Sequence, residues 1–441
     1  MRQIFERLII DFHASTLPEP SPREIVLPRL PKEVRKAHVF IGMRRSGKTW
    51  AMLERVQSLL KQGVAKTKIL YINFEDDRLS PMILGDFQSL LDAYFGLYPH
   101  HADRSDLHFF FDEIHEVPGW EKFVRRLLDQ EKAQIYLSGS SAKLLGSEIA
   151  SALRGRTLVQ EVFPFSFREY LSFKKLAFAP PLSSKARQGL SHHAKKYLRS
   201  GGFPEALSLH EDLQRALLQG YMDTVIHRDI EERHDVGHPL LLKELLRHCL
   251  QNAASPMSLH KLYRRFKSLG RSVSKDSLYA YMEYFQDAYC LFSVPVYSHS
   301  LHQRNLLPKK IYCADSGLIT AYTIKPETEE SSRLENAVFC ELRRQTQEIY
   351  YYKTRDGREV DFITVAPDGR KELYQVCVTL GKDETFERET ESLQAALAET
   401  GLSSGTVITL DEDKDLRLRG KHLRCIPVGQ WFLSRMRLLQ L

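Results

Sequence analysis

Several things are scarce in this 441-residue chain, and each scarcity closes a class. No apolar run approaches the ~20 residues of a membrane-spanning helix, so no membrane association is expected. The N-terminus, "MRQIFERLIIDFH", has Arg7 and Asp11 among its apolar residues and no small-residue cleavage site. It reads as an amphipathic helix and not as a secretory leader. There are six cysteines, Cys249, Cys290, Cys313, Cys340, Cys377 and Cys425, with no C-x-x-C pair. That scatter argues against zinc and against a disulfide framework, and a cytoplasmic setting is expected. His192 and His193 are adjacent, so they do not share a helical face, and no metal pair is expected there. Excess charge is small, +7 at neutral pH. Yet Leu241 to Lys325 holds twelve Lys/Arg against five Asp/Glu, a difference of +7, so this segment carries the whole excess. A basic module in an otherwise neutral chain suits a polyanion such as double-stranded DNA; a solvated basic surface is the competing reading.

What is present is the composition of a soluble globular protein, 43% hydrophobic and 27% charged, too long for a single core. At ~100–200 residues per domain, two to four domains are expected. The strongest local signal is "HVFIGMRRSGKTW". Gly42, Met43, Arg44, Arg45, Ser46, Gly47, Lys48 and Thr49 fit G-x-x-x-x-G-K-[ST]. Glycines let main-chain N–H groups turn inward on a phosphate. The lysine charges the terminal phosphates, and the threonine hydroxyl helps to hold Mg²⁺. An apolar run precedes the motif and "KTWAMLERVQSLLKQG" follows at helical spacing, as a phosphate loop between strand and helix requires. ATP with Mg²⁺ is therefore the expected ligand.

"LHFFFDEIHEVPGW" delivers Asp112 and Glu113 to the end of a buried strand. Asp112 suits the metal side and Glu113 the activation of water. "TKILYINFED" and "AQIYLSGSS" read as further strands. The second ends in Ser138, Ser140 and Ser141. One of these hydroxyls, with Ser140 as the choice, suits a γ-phosphate sensor, and turn chemistry is the alternative. Strands alternating with helices imply a parallel sheet with the ligand at the strand C-termini. The order of phosphate loop, extra strand, Asp-Glu strand and polar-ended strand fits the additional-strand class of P-loop ATPases. Arg154 and Arg156, around Gly155, are candidates for an arginine reaching the γ-phosphate, in cis or toward a neighbouring subunit; surface pairing with acids is the alternative. Arg44 and Arg45 could instead be tied to acids of the loop's own scaffold.

Together "GMRRSGKT", "FFFDEIHEVPGWEKFVRRLLD", "YLSGSSAKLL", "LRGRTLVQEVFPFSFREYL" and "YLRSGGFPEAL" resemble the bacterial and archaeal AAA+-like ATPases with a C-terminal nuclease-like domain. The resemblance continues through "YMDTVIHRDIEERHDV", "SKDSLYAYMEYFQDAY" and "LENAVFCELRRQTQEIYYYKTRDGREVDFITV", from about Arg35 to about Ala398. It implies ATP binding, an additional-strand core, a winged-helix middle and a final fold related to the PD-(D/E)xK nucleases.

The basic segment supports the middle reading independently. Three helical stretches precede two strands around a polar loop. Ser274 is a helix cap, and Leu278, Met282, Phe285 and Tyr289 share one face. In a winged helix the third helix enters the major groove, which would expose Lys275, Ser277 and Tyr279 to DNA. Arg304, Lys309 and Lys310 fall in or beside the wing, suited to phosphates. A packing module is the alternative. In the last domain, Glu335 on a helix, Asp361 in "REVDFITV" and Gln375 in "ELYQVCVTL" match the positions of a nuclease metal site. Cys377 stands where that site needs a lysine, and Lys382 is too far along the strand to replace it. The expectation is a degenerate nuclease fold used for docking.

The expected fold is therefore α/β. It comprises an N-terminal helical extension (1–30), an additional-strand, AAA+-like P-loop core (31–175), a helical lid (176–240), a winged helix (241–325) and a restriction-endonuclease-like domain (326–441). In the lid, Gly201-Gly202 before Pro204 mark a turn. The expected activity is ATP hydrolysis coupled to conformational change in a half that contacts DNA or a partner. A slow switch recruiting a protein partner and an ATP-regulated nuclease are the alternatives, and a homo-oligomer is open.

Overall fold

In the computed structural model the described residues are 1–19, 21, 23–28, 31, 34–102, 104, 106–131, 133–139, 153, 155–323, 329–381 and 383–435. They form two compact units, Met1–Val162 and a second from Phe163 onward.

The first unit is built on strands β1 (Ala37–Ile41), β2 (Ile69–Asn73), β3 (His108–Asp112), β4 (Gln134–Ser138) and β5 (Thr157–Glu161). All pair in parallel, in the order β2-β3-β4-β1-β5. The strand β4 thus lies between the phosphate-loop strand and the Asp-Glu strand, the additional-strand arrangement expected from the motif order. The edge strand β5 was not anticipated. Its residues are only partly buried and it pairs with β1 alone, so it lacks the apolar run that marks the others.

Side chains alternate along a strand, so the consecutive phenylalanines of β3 serve two cores. Phe110 joins Met52, Val56 and Leu59 of helix α2, one of the unit's α1 (Arg2–Ala14), α2 (Lys48–Lys61), α3 (Phe87–Leu97) and α4 (Trp120–Gln130). On the other face Phe111 meets Phe123 of α4, which stacks on Phe87 of α3 at 4.1 Å. The result is a sheet between helical layers. Only Arg2–Ala14 of the expected N-terminal extension is helical; the described residues after Ser15 run without regular structure to β1.

The second unit opens with helices α5 (Phe167–Phe173), α6 (Ser184–Ser200) and α7 (Glu211–Thr224), the last continuing as a π-helical stretch, Val225–Glu231. Gly202 N–H, between α6 and α7, donates to buried Asp315 at 2.7 Å. Next come α8 (Pro239–Gln251), β6 (Pro256–Met257), α9 (Leu259–Ser268), α10 (Lys275–Asp287), β7 (Leu291–Val294), α11 (Leu301–Leu306) and β8 (Lys309–Cys313). The three strands form an antiparallel sheet in the order β6-β8-β7. Ser274 caps α10, accepting from Ser277 N–H at 2.9 Å, and Leu278, Met282 and Phe285 are buried.

After α12 (Ser316–Tyr322) and α13 (Glu330–Arg343) the chain builds β9 (Ile349–Lys353), β10 (Glu359–Val365), β11 (Lys371–Val376), α14 (Asp383–Thr400), β12 (Ser404–Thr409), β13 (Lys414–Leu418), β14 (Lys421–Pro427) and α15 (Val428–Ser434). The six strands form a mixed sheet, β13-β14-β12-β11-β10-β9. Phe362, Tyr374 and Ile408 pack with Leu334 and Val338 of α13; Val360, Ile363 and Val407 pack with Leu393 and Leu397 of α14. A bulge between Val360 and Ile363 sets Asp361 and Phe362 opposite a single residue of β9. Such a bulge turns a side chain that strict alternation would send the other way.

Candidate functional site

The loop Gly42–Gly47 joins the end of β1 to α2. Gly42 has φ 151°, and a Cβ there would lie 2.1 Å from Val162 O, so no other residue fits without moving the backbone. Arg45 and Gly47 are left-handed, at φ 66° and 97°. Successive left-handed turns gather main-chain N–H groups into a concave nest for an anion. Lys48 is buried, and its ammonium donates to Gly42 O at 3.2 Å and Met43 O at 3.5 Å, over the loop. Thr49 is half-buried beside it. Ser46 Oγ is buried and makes no hydrogen bond. Met43 is buried in the core beneath. Arg44 pairs with Glu75 at 3.8 Å, so it is tied to the scaffold, as one sequence reading allowed.

Asp112 ends β3 and is fully buried. Tyr71 O–H donates to its Oδ2 at 2.7 Å, and Ser138 O–H donates to its Oδ1. The same Ser138 oxygen accepts from Glu113 N–H at 3.1 Å. One hydroxyl on the inserted strand β4 therefore aligns both members of the Asp-Glu pair. Glu113 is left-handed, at φ 50°, a conformation a non-glycine residue adopts only when its surroundings hold it. Its Oε2 lies 3.2 Å from His115 Nδ1, an ion-pair distance without hydrogen-bond geometry. Burial, and then the charge of Glu113, push the Glu75 carboxyl above its usual pKa, so acids crowd this edge. Burial, and then Asp112, raise the Tyr71 hydroxyl well above its usual range and keep it a neutral donor.

The other expectations fare unevenly. Ser140 and Arg154 lie outside the described residues, and the serine placed at the acids is Ser138. Arg156 is described, and it corrects the expectation of a cis arginine. It precedes β5 and pairs with Asp129 at the end of α4. Thr157 is in register with Ala37, at the start of β1, whereas the phosphate loop leaves its far end. Four strand residues at ~3.3 Å each separate the two edges by ~13 Å.

A residue missed from the sequence stands behind the loop. Arg23, buried in the N-terminal segment, donates from Nη1 to Ser46 O at 3.1 Å, and that guanidinium nitrogen lies 2.6 Å from where a Gly47 Cβ would be. Its own N–H donates to Glu54 of α2 at 3.0 Å. The carbonyl and N–H of a trans peptide point opposite ways. Drawing Ser46 O outward therefore turns Gly47 N–H inward, toward the nest. Nothing near Arg23 in the sequence signals this role.

In the second unit Lys275 and Lys309 are exposed, and Tyr279 is 53% exposed. The Ser277 hydroxyl is engaged with Ser274 Oγ at 2.8 Å. Two of the residues expected in or beside a wing are corrected. Arg304 is committed to Ser298 O and to the face of Tyr350, 5.1 Å from its centroid. Lys310 is 2% exposed and is no phosphate contact. Its ammonium lies 2.8 Å from both Glu335 Oε1 and Asp361 Oδ1. The three nuclease-like positions are indeed brought near one another. Asp361 Oδ2 accepts from Val376 N–H at 2.9 Å, and Gln375, the residue before it, donates to Glu389. Lys382 lies outside the described residues. Among the described residues no helix is long and apolar enough to cross a membrane.

A family model described as "AAA domain" matches residues 34–171, and two described as domains of unknown function, DUF8612 and DUF4143, match 191–329 and 331–431. The chain is 30% identical to "Uncharacterized protein MJ1544" of Methanocaldococcus jannaschii, covering 98% of this chain and 95% of that one. An uncharacterized protein of Haemophilus influenzae is 28% identical over 75% of this chain and 80% of its own. Among solved structures, Aeropyrum pernix ORC1 in complex with DNA aligns over 74% of this chain and 92% of that chain at 16% identity, with a TM-score of 0.29. Cdc6p of Pyrobaculum aerophilum aligns over 69% and 90% at 13% identity, with a TM-score of 0.26. Scores this low define no shared overall architecture.

Proposed function

The chain belongs to the same family as the Methanocaldococcus jannaschii protein MJ1544, with an AAA domain at its head, and from that premise we propose that it binds and hydrolyses Mg-ATP. The observation that carries this reading is the Ser138 hydroxyl, which, on the strand next to the phosphate-loop strand, fixes Asp112 and Glu113 on the strand beyond. The residues fit the nucleotide: a nest that only glycine at 42 permits, an unpartnered Ser46 hydroxyl and a lysine over the loop. Main-chain N–H groups of the loop, Ser46 N–H apart since it donates to Met43 O at 3.2 Å, would hold the phosphates, with Lys48 on the terminal ones. Thr49 and Asp112 would hold magnesium, which when bound neutralises charge on the β- and γ-phosphates. Glu113 orients and deprotonates the attacking water. Arg23 fixes the loop from behind.

The same reading assigns residues 241–325 to a winged helix that contacts DNA or a partner; the helix-strand-helix-helix-strand order up to β7 supports it, with the short helix α11 where a polar wing loop was expected before β8. Exposed Lys275, Lys309 and Tyr279 are its contact candidates. The C-terminal domain acts by docking.

Binding of ATP by wild type and Lys48→Ala tests the site. Loss of binding in the variant is expected, and equal affinity removes the assignment. Steady-state phosphate release with and without duplex DNA separates a coupled ATPase from a slow switch, and turnover per subunit that rises with protein concentration would place a neighbour's arginine in the site.

A further inference from the structure

The resemblance of the last domain to the PD-(D/E)xK nucleases implies a divalent metal held by Glu335 and Asp361, but the residues present do not fit one. The site already contains a cation of the protein's own. Lys310, on β8 of the small antiparallel sheet, reaches the six-stranded sheet and is 2% exposed. Its Nζ lies 2.8 Å from Glu335 Oε1, 2.8 Å from Asp361 Oδ1 and 3.0 Å from Glu359 Oε1. The ammonium donates to Glu335 and Asp361, and Glu359 lies at ion-pair distance. Two of these carboxylates take a further hydrogen bond. Asp361 Oδ2 takes Val376 N–H at 2.9 Å, and Glu335 Oε1 also takes Tyr312 O–H at 2.7 Å. The Tyr312 ring stacks on Phe339 of α13, with centroids 4.4 Å apart.

Charge agrees with geometry. Cys377, where the nuclease pattern needs a lysine, has no cationic form, and burial raises its thiol far above neutrality, so it stays uncharged. Burial opposes the Lys310 charge, yet Asp361, Tyr312, Glu335 and Glu359 outweigh it and hold the amine protonated. Burial, and then Asp361, push the Glu335 carboxyl above its usual range, as crowding of acids around one cation requires.

We propose that Lys310 is the resident cation of the Glu335–Asp361 site, an ammonium standing where a divalent ion would sit, so that the site is a closed junction and not a cleavage centre. The bulge at Asp361 serves this junction by turning its carboxylate toward the small sheet. The ammonium also ties β8 to β10 and α13, beside the Tyr312–Glu335 bond and other links between the basic module and the last domain. This inference does not depend on the nucleotide reading.

The test is Mn²⁺ uptake by the full chain without nucleotide, followed by electron paramagnetic resonance. Wild type and Asp361→Asn should take up Mn²⁺ equally. Lys310→Ala, or Lys310→Met if alanine does not fold, should gain a single additional ion that a further Asp361→Asn removes. Wild-type uptake that Asp361→Asn abolishes would overturn the proposal, as would a folded Lys310 variant that gains no ion. So would cleavage of duplex DNA lost in both Asp361→Asn and Lys310→Met, which would make Lys310 the lysine of an active nuclease.

Discussion

Ser138→Ala is the most informative single change in the first unit. The hydroxyl is fully buried, donates to the Asp112 carboxylate and accepts from Glu113 N–H. Alanine keeps the strand but removes both bonds. A hydrogen bond to a charged group contributes about 1.5–3 kcal/mol and an amide bond about 0.5–1.5, so the loss is about 2–4.5 kcal/mol. In a unit of this size each kcal/mol moves Tm by ~2–4 °C, giving a fall of ~4–18 °C. Turnover should fall further than affinity. The loop and Lys48 are untouched, whereas Glu113 loses the anchor of its left-handed backbone. A displacement raising the barrier by ~1.4 kcal/mol slows hydrolysis about tenfold. Thermal denaturation, fluorescent-ATP titration and phosphate release together read this out. Unchanged stability with unchanged turnover would show that Ser138 neither supports the fold nor aligns the acids, and the reasoning would fail.

Arg23→Ala should weaken ATP binding about tenfold, one loop hydrogen bond to a cation being worth ~1.5–3 kcal/mol, with Arg23→Lys recovering part of it. Equal affinities by titration would remove the loop-orienting role. His38 and His108, flanking Tyr136 in the central sheet, are lowered to about 4, chiefly by burial and then by Arg55. Between pH 6.5 and 4 the unfolded chain binds protons that the folded one refuses, so stability is full above pH 6.5 and falls with acidification. Each histidine contributes up to ~1.4 kcal/mol per pH unit. His38→Phe should flatten that slope in denaturant titrations at pH 7 and pH 5, and an identical slope would refute it. If the winged helix grips DNA, each neutralised phosphate adds ~0.9 to the log–log salt slope, and Lys275→Ala should reduce it; a flat wild-type slope sinks the contact.

The nucleotide site was legible because its parts are local. The phosphate loop, its flanking strand and helix, and the Asp-Glu strand each announce themselves within a dozen residues or so, and even the inserted strand follows from their order. What was illegible depends on distance. Arg23 meets Ser46 across a segment with no regular structure. Lys310 sits next to exposed Lys309 in "PKKIYC", and nothing local tells the pair apart. Its partners Glu335 and Asp361 come from a later helix and strand, so a buried ion pair was counted as surface charge. Arg156 looked like a site residue because it is near a glycine, but register with β1 places it at the far edge.

The position of β1 has a consequence for synthesis. Both its neighbours, β4 and β5, lie about a hundred residues or more further along, so it leaves the ribosome with neither edge partnered, and pairings of such long range form slowly. "AHVFI" is then a sticky ribbon on a nascent chain until β4 emerges, an invitation to chaperones. The loop proposed to cradle ATP is thus among the last features of its unit to mature, and on that proposal nucleotide in the cell would reward only molecules that have completed the whole sheet.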